Sequence, residues 1–293
     1  MEYPISSISL ELISKCNLKC VHCRLQLHDY EAANKVMSYD DVISFMDEVK
    51  DSNRRVSLTL QGTGEASLHP KMLNIIKQAA AMNFKVATTT NLLSRKKEVY
   101  LRFFEVGLDL MTVSIDTLNK SVVDLTRAGT SVEVLKENFS YLVSRYPDKI
   151  YVHSVASDLT VPHFDELYEF LNSNGLVNWR FIYLNNWDGT YGISDESIEV
   201  LNAKVKVWSK EMEINVPDKN AYCEQPFGAL NVNALGYIMP CLYYEDHNIV
   251  NFGNVFEGNI SEQYNSDKFK RFRADVLTGK ADICKVCQIF KKR

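Results

Sequence analysis

The chain has 293 residues, 46% of them hydrophobic, enough to bury one large core with a small appendage. Its net charge is −4 with both signs interspersed, which leaves no electrostatic footprint for nucleic acid or an anionic membrane. Met1-Glu2-Tyr3-Pro4 has no basic region leading into an apolar stretch, and no run approaches the roughly 18 apolar residues of a spanning helix, so a soluble, cytoplasmic protein is expected.

Strands and helices then alternate along the chain. Ile5–Ile13 predicts a strand, and Tyr39–Asp51 a helix opened by Ser38 and Asp41 as a capping box. Val56–Gln61 and Lys71–Met82 repeat the pair, as do Lys85–Thr90 and Arg95–Val106. Leu110–Asp116 is the fourth strand, and Thr130 with Glu133 caps a helix over Ser131–Arg145. Ile150–Ser157 with Phe164–Asn174, then Trp179–Leu184 with Asp195–Met212, complete six units of about 34 residues, the size of a βαβ repeat. Strict alternation means a parallel sheet. Six units are too few to close an eight-stranded barrel. Met111, Val113 and Ile115 alternate with Thr112, Ser114 and Asp116, and Val56, Leu58 and Leu60 with Ser57, Thr59 and Gln61. A sheet covered by helices on both faces would be continuously apolar. The expected fold class is therefore α/β, a partial (β/α)6 TIM-like barrel with a polar inner face around a cavity.

The pattern breaks after about Asn215, dividing the chain into a barrel over 1–215 and a small domain over 216–293. Asn231–Cys241 predicts a hairpin turning at Gly236; a polar loop with Gly253 and Gly258 follows, then a basic amphipathic helix over Ser261–Val276. So little core needs help, and its cysteines supply it.

Seven cysteines fall into two groups, Cys16, Cys20 and Cys23 near one end and Cys223, Cys241, Cys284 and Cys287 near the other. An odd count without an export signal points away from disulfides and towards metal or redox chemistry. The first three follow a strand within one short loop, a spacing that folds three thiolates around one cuboidal iron–sulfur cluster and leaves one iron free. A zinc site is the alternative reading of the same thiols.

This CxxxCxxC segment, Cys16-Asn17-Leu18-Lys19-Cys20-Val21-His22-Cys23, resembles the signature of the radical S-adenosylmethionine (SAM) superfamily, whose open iron chelates SAM. His22 stands where the family has an aromatic residue. Gln61-Gly62-Thr63-Gly64-Glu65 resembles its Gly-Gly-Glu motif for the SAM amino group: glycine permits close approach, and Glu65 can accept from the ammonium. Leu68-His69-Pro70 is also similar; Ala66 replaces a frequent proline. Thr89-Thr90-Asn91 resembles Thr-Asn-Gly with Leu92 in place of the glycine, and Val113-Ser114-Ile115-Asp116 the segment that reaches the SAM ribose. Arg127 lies where relatives carry an arginine for the SAM carboxylate.

Cys223, Gly236-Tyr237-Ile238-Met239-Pro240-Cys241 and the Cys284/Cys287 pair resemble the SPASM/Twitch extension of the same superfamily. No cysteine follows Cys287, so the resemblance implies the shorter Twitch form, with four ligands for one auxiliary cluster. A four-cysteine zinc site has the same spacing. Together the resemblances imply two 4Fe–4S clusters and SAM as cofactors, a 5′-deoxyadenosyl radical that abstracts a substrate hydrogen, and an external one-electron donor such as a flavodoxin or ferredoxin. An epimerase needs a hydrogen-atom donor, commonly a thiol, and all seven cysteines are assigned. The implied reaction is a two-electron oxidation of a small polyol or aminocyclitol. The alternatives are a maturase acting on a ribosomal peptide, for which the position of Cys16 leaves no room for an N-terminal recognition domain, and a zinc-stabilised binding module. Strand parity and loop position nominate Tyr151, His153, Arg180, Asn185, Trp187 and Asp188 as substrate contacts.

Overall fold

The computed structural model describes residues 3–26, 33–184, 191–217, 223–244, 246–285 and 287. The strands are β1 (Ser7–Leu10), β2 (Lys19–Cys20), β3 (Ser57–Leu60), β4 (Lys85–Thr90), β5 (Leu110–Ser114), β6 (Arg127–Ala128), β7 (Ile150–Ala156), β8 (Asn178–Tyr183), β9 (Glu213–Asn215), β10 (Ala229–Val232) and β11 (Ile238–Met239). The helices are α1 (Tyr39–Val49), α2 (Met72–Ala81), α3 (Glu98–Glu105), α4 (Lys120–Thr126), α5 (Val132–Val143), α6 (Phe164–Ser173), α7 (Asp195–Trp208), α8 (Gln225–Gly228), α9 (Ile260–Tyr264) and α10 (Asp267–Leu277).

The main sheet runs β11-β10-β1-β3-β4-β5-β7-β8-β9, all parallel except β11. It is a curved, partial barrel whose six expected strands stand in sequence order. Two additions were not legible. The three-residue β9 continues the sheet past β8, and β10 pairs in parallel with β1, so the C-terminal segment adds strands to the barrel's own sheet. The hairpin turns where expected, with Gly236 at φ +86.

Alternation decides which side chains face the helices. On β8, Trp179, Phe181 and Tyr183 are buried outwards. Trp179 stacks on Trp208 of α7 at 5.5 Å and meets Phe164 of α6 edge-on at 5.9 Å. Its Nε1 donates to Ser154 Oγ at 2.8 Å, so the indole is held at both its apolar and polar ends. Arg180 and Ile182 are thereby turned to the inner face.

Helix starts follow local chemistry. Ser38 Oγ accepts from Asp41 N at 3.1 Å, as the capping box requires. The cap of α5 is Ser131, which accepts from Val134 N at 3.3 Å, and not the expected Thr130, whose hydroxyl donates to Arg127 O. The expected single helix over Ser261–Val276 is two, because Ser266 caps a fresh start by accepting from Phe269 N at 3.3 Å. Arg273 of α10 is buried with its guanidinium 3.8–4.4 Å from the rings of Tyr3, Tyr264 and Phe269. It donates to Pro226 O at 2.6 Å and so fastens α10 to the turn that follows Cys223.

Candidate functional site

A cavity of about 520 Å³ opens at the C-terminal ends of the parallel strands. Its wall includes the polar positions read from the alternation, Thr59 and Gln61, Thr89, Thr112 and Ser114, then His153 and Arg180, with apolar Ala87, Leu110, Val155 and Ile182 among them. Cys16, Cys20, His22 and Cys23 cover one side, with Gly62, Gly64, Glu65, Asn91, Asp116 and Arg127 around them. The structure thus brings most of the nominated residues to one place. Tyr151 has the cavity-facing parity on β7 but lies nearer the strand's N-terminal end, outside the lining. Asn185, Trp187 and Asp188 lie outside the described residues.

The cysteine loop is held from three sides. β2 pairs with β6, and Val21 N donates to Thr126 O at 3.0 Å, which brings Arg127 against the thiols. Glu65 N donates to Lys15 O at 3.0 Å, and a Cβ on Gly64 would collide with the Ile13 carbonyl oxygen, so only glycine lets the two loops touch. Asn91 Nδ2 donates to Asn17 Oδ1 at 2.8 Å. The Cys16 thiol accepts from Leu18 N at 3.4 Å, a main-chain bond that favours the thiolate, while burial pushes it up.

Two carboxylates read as cofactor contacts are already engaged. Glu65 is buried; its Oε2 accepts from Asn91 N at 2.7 Å, and its Oε1 accepts from Thr90 Oγ1 at 2.7 Å and Ser67 N at 3.2 Å. An ionised carboxylate offers about four acceptor sites, so three are spent inside the protein. Asp116 Oδ2 pairs with Arg127 Nη1 at 3.2 Å and its Oδ1 accepts from Val155 N at 2.8 Å. Arg127 is buried, and Asp116 and the neighbouring thiols hold its charge in place against desolvation. Burial pushes the pKa of the His22 imidazole down.

One residue escaped the sequence reading. Glu11, immediately after β1, is buried; its carboxylate accepts from Thr63 N at 2.7 Å, from the Thr63 hydroxyl and from Ala234 N at 2.9 Å. It ties the glycine loop to the β10–β11 hairpin, and its own side chain is why residue 62 must be glycine. Burial raises its pKa, opposed by these donors. Leu92 also departs from the family text in a measurable way. It holds φ +61, the region glycine favours, while its side chain is fully buried.

The second cysteine group includes Cys241, in the turn after β11. Cys223, Cys241, Cys284 and Cys287 lie within electrostatic reach of one another. Burial and mutual repulsion push Cys284 up to about 11 and Cys241 higher still. Thiols gathered in this way ionise only against a positive centre, which is what a bound iron–sulfur core supplies. Among the described residues no three His, Cys, Asp or Glu side chains are closed to the spacing of a single metal ion. Leu242 and Tyr243, next in sequence to Cys241, line the main cavity. Arg24, next to Cys23, bridges to Asp246 at 3.0 Å, so the two cysteine regions are joined across the cavity mouth.

The model of the radical SAM superfamily matches residues 10–171, more than half of the chain. The chain belongs to the radical SAM superfamily. The model of the SPASM iron–sulfur cluster-binding domain matches residues 223–288, which contain the second cysteine group. The cofactors of this family are 4Fe–4S clusters and SAM, and the two thiol sets fit them. Among curated proteins, a tungsten-containing aldehyde ferredoxin oxidoreductase cofactor-modifying protein of Pyrococcus furiosus is 24% identical, with 90% of this chain and 82% of that protein covered. Among solved structures, Streptococcus suis SuiB bound to S-adenosylmethionine superposes with a TM-score of 0.77 at 17% identity, covering 98% of this chain and 71% of that one. BtrN in complex with AdoMet and 2-DOIA gives 0.66 at 18% identity, covering 98% and 94%. At such identities the likeness is one of fold. No helix among the described residues is long and apolar enough to cross a membrane.

Proposed function

We propose that this radical SAM enzyme is an oxidoreductase that removes two electrons from a small polyol-like substrate. When bound, the clusters and SAM supply hydrogen-atom abstraction and an acceptor for the substrate's second electron. Cys16, Cys20 and Cys23 would hold the cluster on the SAM side, and Cys223, Cys241, Cys284 and Cys287 the auxiliary one. Glu65 acts by holding the Gly62–Gly64 strap against the cysteine loop, so that main-chain groups meet the SAM amino group. Asn91, Ser114 and the Asp116–Arg127 pair would form the wall for its ribose and carboxylate, and the His22 ring would offer a flat face beside them. A flavodoxin or ferredoxin delivers the first electron.

The observation that carries the oxidative reading is the position of Leu242 and Tyr243, which line the reaction cavity directly beside Cys241. The proposed auxiliary ligands would therefore stand next to the place where a substrate radical would form, and giving three of the seven free cysteines to one cluster and four to the other leaves no thiol as hydrogen donor. A second reading is a peptide substrate, since SuiB bound to precursor peptide SuiA shares this fold with a TM-score of 0.74. Turnover in heavy water separates oxidation from epimerisation. Oxidation gives a product two mass units lighter with no solvent deuterium at the attacked carbon; unchanged mass with deuterium there refutes it.

A further inference from the structure

Four charged groups of the cavity have a described partner or donor set: Arg24, paired with Asp246 outside the lining; Arg127 and Asp116, paired with each other; and Glu65, on its three donors. Arg180 is different. It lines the same cavity, yet among the described residues it enters no ion pair and no hydrogen bond. The outward packing of Trp179 and Phe181 fixes the strand, so the guanidinium cannot turn to the helix layer for a partner. Its neighbour across the ladder is His153, the registered partner on β7. Burial and the Arg180 charge push His153 down to about 4, so near neutral pH it is an uncharged hydrogen-bonding ring. Tyr243 lines the same cavity, and the Arg180 charge is felt at its phenol.

We propose that Arg180, with His153 and Tyr243 beside it, is a subsite for a carboxylate on the substrate, so that the enzyme acts on a polyhydroxylated acid. The proposal rests on the oxidative reading above and narrows its polyol class. A single planar guanidinium matches a singly charged carboxylate in a two-point fork. A phosphate dianion would call for a second cation or a helix N-terminus, and neither neighbour supplies one. An aminocyclitol would place its ammonium against a guanidinium that no carboxylate among the described residues offsets. The wall also offers Thr59, Gln61, Thr89, Thr112 and Ser114 as hydroxyl and amide partners for a polyhydroxylated body, set among apolar Ala87, Leu110, Val155 and Ile182, which suit its carbon skeleton.

The test uses the anaerobic, cluster-loaded enzyme saturated with SAM, and three probes of one carbon skeleton: gluconate, glucitol and glucamine. Saturation-transfer NMR reads their binding. Gluconate should bind at least tenfold more tightly than glucitol, and glucamine should not bind. Arg180→Gln should bring gluconate to the level of glucitol, and Arg180→Lys should restore part of the preference, while SAM affinity by calorimetry stays within about twofold. Equal binding of the three probes, or a gluconate preference that survives Arg180→Gln, overturns the proposal. So does a parallel loss of SAM affinity in Arg180→Gln, which would give the arginine to the cofactor. Glucitol 6-phosphate binding more tightly than gluconate through Arg180 replaces carboxylate by phosphate. A turnover product of unchanged mass carrying solvent deuterium would instead strike the oxidative reading and leave the gluconate preference standing.

Discussion

Replacing Glu65 with glutamine keeps the side chain's shape and removes its charge, which separates two roles for it. In the folded chain three donors converge on the carboxylate: Asn91 N and Thr90 Oγ1 at 2.7 Å, and Ser67 N at 3.2 Å. Glutamine has one acceptor oxygen. Its best orientation gives that oxygen to Asn91 N and turns the NH2 towards Thr90, whose hydroxyl can rotate to accept. Ser67 N then loses its partner. A bond to a charged group is worth about 1.5–3 kcal/mol and a neutral one about 0.5–1.5, so the change should cost the loop about 2 kcal/mol. Alanine, which removes all the acceptors, should cost about twice that. Amide hydrogen exchange reads the effect locally: about 2 kcal/mol less protection means roughly thirtyfold faster exchange at Ser67 and Asn91. Unchanged exchange at both amides, together with weakened SAM binding, would refute the loop-holding role and return the carboxylate to direct contact with the cofactor.

Glu11→Gln should speed exchange at Thr63 and Ala234 together by about tenfold or more, since one carboxylate serves both amides; an effect at only one would break the proposed tie between glycine loop and hairpin. Leu92→Gly relieves a left-handed strain of about 1–2 kcal/mol but gives up a buried leucine worth about 2–5, so calorimetry should show a lower melting temperature. A higher one would mean the side chain packs poorly. His153 is held at about 4 by burial and Arg180, below the unfolded value of 6.5, so the unfolded chain binds the extra proton first. Stability is then complete above about pH 6.5 and falls by up to about 3 kcal/mol as pH drops towards 4. The difference in melting temperature between parent and His153→Gln should shrink over that window, and a flat difference would contradict the burial of an uncharged ring.

The strand–helix order was legible because each unit carries its own period. The polar face of β5, with Thr112 and Ser114 set between Met111 and Val113, gave the cavity before any contact was known. Ligand spacing was equally local, with Cys16, Cys20 and Cys23 in one loop. What stayed hidden depends on pairs distant in sequence. Glu11 meets Ala234 across 223 positions, and nothing near Glu11 marks it as a buried acceptor. Asp116 and Arg127 were each assigned to SAM, while their mutual ion pair emerges only when β2 and β6 close. β9 is too short for a periodic signal, and the break between α9 and α10 rests on one serine within an otherwise continuous amphipathic pattern.

We propose that the two cysteine groups are separate cluster sites, the first of them serving SAM. Anaerobically reconstituted enzyme should carry about eight irons per chain. The variant with Cys16, Cys20 and Cys23 replaced by alanine should carry about half of that and, reduced with dithionite, form no 5′-deoxyadenosine from SAM. Continued formation of 5′-deoxyadenosine by that variant would contradict the account.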